Sequence, residues 1–213
     1  MNFSNQIRMD FSNRIKKEIS EGIARAILED AGYRVIDSGI EKVIRELSCL
    51  NAIEYKMLGY PDAMSHLPDF TVMNREQDEK FLVEVKYRKN WGKEVFEEVR
   101  EQVRLFGEIT LISINASASD PKCTDLPARF IRCCGLKFDG DNYMVEQRQQ
   151  NQNREWNQIE NIRNGSGLWW SMTPLHEKFT KLKESRHTEI LSSAVEALRG
   201  ILDKTTHKSP QMV

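Results

Sequence analysis

Apolar residues recur along the first part of this chain at the spacing of an α-helix. Between residues 12 and 31 they fall three and four positions apart, which places them on one helical face. That face would carry Ile15, Ile19, Ile23, Ala26 and Ile27. Gly32 is typical of a residue that follows a helix end, and the YRVI segment after it predicts a short strand. We expect a second helix over residues 39–58 and then a loop.

The pattern then changes to the alternation of β-strands. PDFTVM (68–73) and KFLVEVKY (80–87) are two β-rich runs, and the polar residues NREQDE between them suit a hairpin turn. Because side chains alternate along a strand, Glu84 and Lys86 should lie on the same face, roughly 6.7 Å apart at the backbone. Asp69, at the mouth of the partner strand, can bring a second carboxylate to the same place.

Helical spacing returns after the hairpin and predicts one amphipathic helix through residues 95–106. Three strands should follow in the segments EITLISI, ARFIRCC and NYMVEQ. The amide-rich stretch QRQQNQNREWNQ predicts a linker or the start of an exposed helix, and residues 174–204 have helical spacing. The expected fold is therefore α/β, with a central mixed sheet flanked by helices over residues 1–148 and a helical C-terminal extension over 149–213.

Composition and charge narrow the class of protein. The 213 residues are 39% hydrophobic and 30% charged, which is ordinary for a globular chain. No apolar run approaches the roughly 20 residues of a membrane-spanning helix, and the N-terminus lacks the apolar region of a secretory signal. We therefore expect a cytoplasmic protein that does not bind membranes. The formal net charge of −1 means that any nucleic-acid binding must come from a local basic patch.

The four cysteines form no CxxC motif, so a zinc ribbon or a dithiol redox motif is not predicted. The carboxylates and lysine of the hairpin point to different chemistry. Charges on a partly buried strand face are costly unless they pair or bind a ligand. Mg²⁺ prefers oxygen ligands and is often held by one or two carboxylates. A bound metal ion neutralises phosphate charge and acidifies a water, and a nearby lysine can orient that water.

Pro68-Asp69 followed by Glu84-Val85-Lys86 resembles the motif of the PD-(D/E)XK nuclease superfamily. This superfamily has the restriction-endonuclease-like fold and includes the archaeal Holliday-junction resolvases. The similarity covers roughly residues 14–115 by the order of elements: helix, strand, hairpin, helix, strand. It implies that Asp69 and Glu84 hold Mg²⁺ or Mn²⁺ and that Lys86 assists the attacking water.

Many members of the superfamily add a glutamate on the first helix that completes the metal shell, and Glu21 resembles that position, with Glu18 and Glu41 as alternatives. Some also carry a glutamine on the helix after the motif, which Gln102 matches, as a catalytic residue that supports the site. The implied function is a metal-dependent endonuclease acting on DNA. The alternative is an inactive nuclease-like module that binds nucleic acid or a partner protein.

A cationic run leads away from the motif through Arg88, Lys89 and Lys93. It could contact the phosphates of a nucleic-acid backbone, or it could be a solvated strand end, and the sequence favours neither. The apolar stripe between residues 191 and 202 likewise fits either a homodimer interface or a part of the core.

Overall fold

A computed structural model describes residues 3–39, 52–88, 91–115, 118, 130–149, 153–182 and 193–194, and their side chains from residue 14 onward except at 52, 55, 56, 62 and 166. Its helices are α1 (Phe3–Asp30), α2 (Ala52–Met57), α3 (Glu94–Glu98), α4 (Arg100–Phe106), α5 (Ser166–Trp170) and α6 (Leu175–Lys178). Two short 3₁₀ helices span Asp62–His66 and Ile159–Asn161. The strands are β1 (Arg34–Asp37), β2 (Phe70–Met73), β3 (Lys80–Arg88), β4 (Ile109–Asn115), β5 (Ile131–Asp139), β6 (Asn142–Arg148), β7 (Arg154–Gln158) and β8 (Thr173–Pro174).

These strands form one sheet in the order β1-β2-β3-β4-β5-β6-β7, and β8 pairs with β5. Of the described pairs, β3 and β4 run parallel and the others antiparallel. A parallel pair needs a crossover connection, and α3 and α4 lie in that connection. The fold is thus α/β with a mixed, mostly antiparallel sheet, as the sequence predicts at this level.

The core lies along the middle strands. All seven residues of β4 are buried, which matches the continuous apolar run EITLISI. Helix α1 contributes Ala24, Ile27 and Leu28, each at most 2% exposed, whereas Ala26, which we expected on the apolar face, is exposed. Gly32 has φ of +89°, the left-handed conformation that glycine adopts readily after a helix.

Two predicted helices need correction, and a third is described only in part. Helix α1 begins at Phe3, well before residue 12. The helix expected over residues 95–106 is two short helices that meet at Val99, whose φ of −106° and ψ of 3° are not helical. Within 39–58, only Ala52–Met57 is described as helical, and residues 40–51 lie outside the described part of the chain.

The segment after residue 148, predicted to be a helical extension, contains strands as well as short helices. Residues 154–158, from the amide-rich stretch, form β7, which pairs with β6, and Thr173–Pro174 pairs with β5. Polar strands are tolerated at a sheet edge because one side of the strand can face water, and β7 has no fully buried residue. Within the helix predicted over residues 174–204, α6 ends at Lys178 and residues 193 and 194 are helical, whereas 183–192 and 195–204 lie outside the described residues. The stripe at 191–202 lies outside the described residues except for 193 and 194.

Cys133 and Cys134 are free and buried on β5, whereas Cys49 and Cys123 fall outside the described ranges. Within those ranges, no helix is long and apolar enough to cross a membrane.

Candidate active site

The β2–β3 hairpin brings the two motif carboxylates together. Phe70 of β2 lies opposite Val83 of β3, so Asp69 and Glu84 are the next facing positions in the register. The backbone N–H of Asp69 donates to Glu84 Oε2 over 3.3 Å, and the N–H of Val85 donates to Asp69 Oδ2 over 2.8 Å. Both acids are buried, with 6% and 5% of their surfaces exposed. Each carboxylate is therefore oriented by the backbone of the strand that carries the other.

Lys86 and Gln102 complete the surroundings of Glu84. The ammonium of Lys86 donates to Glu84 Oε1 over 2.5 Å, so the two side chains share a strand face, as alternation predicts. Gln102 on α4 is buried and donates from Nε2 to Glu84 Oε2 over 2.8 Å. The glutamine that the sequence singled out thus points at the site from within the crossover connection.

Helix α1 brings Glu21 and Lys17 to the same place. Glu21 is buried, whereas Glu18 is exposed and Glu41 lies outside the described residues. Lys17 Nζ lies 3.6 Å from Glu21 Oε1 and 3.9 Å from Asp69 Oδ1. Of the two candidate glutamates that the structure describes, Glu21 is therefore the one placed beside Asp69.

These neighbours raise the pKa of the Asp69 carboxyl well above its ordinary value. The largest cause is burial, which removes the water that would stabilise the charged form. The negative charges of Glu84 and then Glu21 raise the pKa further, while Lys17 and the hydrogen bond from the Val85 N–H oppose the rise. A buried group of carboxylates that repel one another gains from a nearby cation.

The donors suit a hard divalent cation, because carboxylate oxygens are the ligands that Mg²⁺ and Mn²⁺ prefer. Asp69, Glu84 and Glu21 are the residues that could hold it. Among the described residues, however, no group of three or more His, Cys, Asp or Glu side chains is already arranged around a common metal position. The ammonium groups of Lys17 and Lys86 instead stand against carboxylate oxygens that a metal ion would need.

A cleft of about 500 Å³ opens beside these acids, between α1 and the second half of β3. Its walls are formed by Lys16, Lys17, Ser20, Val85, Lys86, Tyr87 and Arg88. This set contains four cationic side chains and no acid, although the whole chain has a net charge of −1. The cleft is therefore the kind of local basic patch that phosphate binding would require.

The residues predicted to bind nucleic acid differ in what the structure shows of their positions. Arg88 lines the cleft, but it also donates to the Tyr87 carbonyl and forms an ion pair with Glu98. Lys89 lies outside the described residues. The ammonium of Lys93 instead donates to the carbonyls of Glu160 and Ile162, each over 3.1 Å. Its predicted role as a phosphate contact receives no support from this position.

The sequence reasoning overlooked Lys16, Lys17 and Ser20. A signal for Lys17 was present, because it precedes Glu21 by four positions and residues at this spacing are neighbours on a helix. Lys16 is likewise four positions before Ser20, whose hydroxyl donates to the Lys16 carbonyl over 2.7 Å.

No protein-family model matches this chain, and neither a curated protein nor a solved structure matches it. The geometry of the site and the motif are therefore the basis for a function.

Proposed function

We propose that this protein is a divalent-metal-dependent endonuclease that hydrolyses phosphodiester bonds, with DNA as its substrate. The observation that carries the proposal is the meeting of Asp69 and Glu84 with Lys86 and Gln102 beside a basic cleft. Paired buried acids, a lysine and an anion-attracting surface are the components that such hydrolysis needs.

The order of elements around the site adds support. Apart from helix α2 and a 3₁₀ helix, which lie between β1 and the hairpin, the elements along the chain are helix α1, strand β1, the β2–β3 hairpin, helices α3 and α4 and strand β4. This is the order of helix, strand, hairpin, helix and strand that the resemblance to the PD-(D/E)XK superfamily implies. The motif residues lie in the hairpin, where the resemblance expects them.

Each side chain has a distinct part in the proposed mechanism. Asp69 and Glu84, with Glu21, would hold Mg²⁺ or Mn²⁺, which when bound supplies phosphate neutralisation and an acidified water. Lys86 orients the attacking water and stabilises the negative charge that develops on the phosphate oxygens. Gln102 fixes the rotamer of Glu84 through its hydrogen bond, so it is a positioning residue.

The first test is nicking of supercoiled plasmid by the purified protein with Mg²⁺, with Mn²⁺ or with EDTA. We expect metal-dependent nicking that Asp69→Asn and Lys86→Ala each reduce at least about 100-fold, the scale of losing an electrostatic catalytic group. Lys80→Ala is the matched control, since Lys80 is an exposed lysine at the start of the same strand. Nicking that survives in both site variants would exclude this site as its source.

One observation favours a second candidate, a nuclease-like module that binds without cutting. The 2.5 Å ion pair between Lys86 and Glu84 could be a permanent structural pair rather than an interaction that a metal ion replaces. Titration calorimetry with Mn²⁺ separates the two functions. Absence of Mn²⁺ binding that depends on Asp69, together with absence of nicking, would favour the binding module.

A further inference from the structure

The cleft between α1 and β3 contains one lysine that is placed differently from its neighbours. Lys17, Lys86 and Arg88 all form ion pairs with acids of the protein. Lys16 is half-buried in the same wall, yet no acid among the described residues forms an ion pair with it. A partly desolvated ammonium group beside other cations is unfavourable unless an anion joins it.

We infer that this cleft binds the sugar-phosphate backbone of one nucleic-acid strand, with Lys16 and Lys17 as its principal phosphate contacts. The inference rests on the proposed function and adds a substrate-binding surface on α1 to it. Lysine is a common phosphate ligand that acts as a point charge, and four cations in one cleft create a local field of the required sign.

The size of the cleft argues for one strand. A volume of about 500 Å³ falls within the range of small-molecule sites, roughly 300–1,000 Å³. A cube of this volume is only about 8 Å on a side, so the cleft admits a short length of backbone but not a double helix, whose major groove alone is about 12 Å wide. A duplex could therefore place only one of its strands in the cleft.

Lys17 connects the cleft to the carboxylates. Its ammonium lies within 3.9 Å of Asp69 and within 3.6 Å of Glu21, and it also lines the cleft. A phosphate held by Lys17 would therefore lie next to the acids that the proposed reaction uses. Lys16 has no such second role, so its removal tests backbone binding without altering the charge balance of the acids directly.

The experiment is fluorescence anisotropy of labelled DNA oligonucleotides in EDTA, so that cutting cannot interfere. Single-stranded and duplex forms are tested, and the form that the wild type binds more tightly is kept. Lys16→Ala and Lys17→Ala should each weaken binding about five- to tenfold at low salt and lower the slope of log affinity against log salt by about 0.7–0.9, as for one lost phosphate contact. Lys80→Ala removes the same charge outside the cleft and should change neither quantity. Lys17→Arg should restore most of the binding.

The outcomes separate this inference from the proposed function. Plasmid nicking with an unchanged salt slope in both lysine variants would overturn the backbone-binding cleft and leave the nuclease intact. Weaker binding with a lower slope, in a protein that neither nicks under any metal condition nor binds Mn²⁺ through Asp69, would support the cleft and overturn the nuclease. A wild-type chain that binds neither DNA form would also overturn the inference that this cleft binds a nucleic-acid backbone.

Discussion

The protonation of Asp69 is strongly influenced by its surroundings. Its carboxyl is buried, faces Glu84 and Glu21, and has a raised pKa. In the unfolded chain the same group titrates near its ordinary value of about 4. Between these two pKa values the folded protein binds more protons than the unfolded chain. The free energy of unfolding therefore decreases as the pH rises through this window.

This linkage gives a prediction for the metal-free protein. Asp69→Asn replaces the acid with a neutral side chain of the same shape, whose carbonyl can still accept from the Val85 N–H. We expect the variant to be more stable than the wild type at neutral pH and its stability to depend less on pH above about 4. Thermal unfolding in EDTA across a pH series measures this. Equal pH dependence in the two proteins would show that Asp69 does not titrate as described.

The sequence predicted individual residues well where a local rule applied. Strand alternation placed Glu84 and Lys86 on one face, where they form an ion pair, whereas Gln102 was singled out by the family resemblance. The position of Lys93 was not predictable in the same way, because its partners are the carbonyls of Glu160 and Ile162, far along the chain. A contact between segments that are far apart in the chain produces no regular spacing of residues from which it could be predicted.

At the scale of elements, β5 and β7 meet through a glycine and a tryptophan. A Cβ atom on Gly135 would lie 2.8 Å from Trp156 Cη2 and 3.3 Å from Glu146 Oε2. Trp156 therefore extends across β6 and covers the strand beyond it, while the Lys137 ammonium lies 4.2 Å above its ring. Because the glycine has no side chain, the tryptophan of the edge strand has room to pack onto the sheet.

Gly135→Ala should therefore destabilise the protein by about 1–3 kcal/mol, the cost of adding a methyl group to a filled space. Urea unfolding followed by circular dichroism measures the change. The control is a double-mutant cycle with Trp156→Ala, which removes the ring that the new methyl group would meet. If the alanine at 135 costs as much in that background, the clash with Trp156 is not the cause.

Elements that bury a regular apolar pattern were predicted from the sequence, as β3 and β4 illustrate. Strand β7 was not, because REWNQ has only one large apolar residue and pairs through its backbone with β6. Without β7, strand β6 would be an unpaired edge of the sheet, and the need to pair that edge is the signal for a further strand. That signal exists only once the rest of the sheet is known.

Across the whole molecule, the segment after β6 contacts the main sheet at several places. Lys178 and Glu146 form an ion pair at 3.0 Å, with 11% of each side chain exposed. Arg132 donates to the carbonyls of Met172 over 2.6 Å and Trp170 over 3.3 Å. Ile159, Trp169 and Phe179 are buried in the same core as β4. The domain boundary expected between residues 148 and 149 thus falls between β6 and β7, two strands that pair with each other.

A chain shortened after residue 149 should consequently fail to fold cooperatively. It would lose β7, β8 and the buried side chains of this segment, and leave the apolar surface beneath them exposed. Circular dichroism and a urea titration test this, with a chain ending shortly after Leu182 as the control. A sharp unfolding transition in the shorter chain would mean that residues 1–149 are an independent domain.

The hydrogen bond from the Val85 N–H to Asp69 Oδ2 has a spectroscopic consequence. The chemical shift of an amide proton depends on the charge of its acceptor, so this proton reports directly on the carboxylate at the centre of the site. In a heteronuclear NMR spectrum, one resonance on β3 would follow protonation of Asp69 and its engagement by a cation. The strand that positions the acid therefore also provides a way to observe it without any added label near the site.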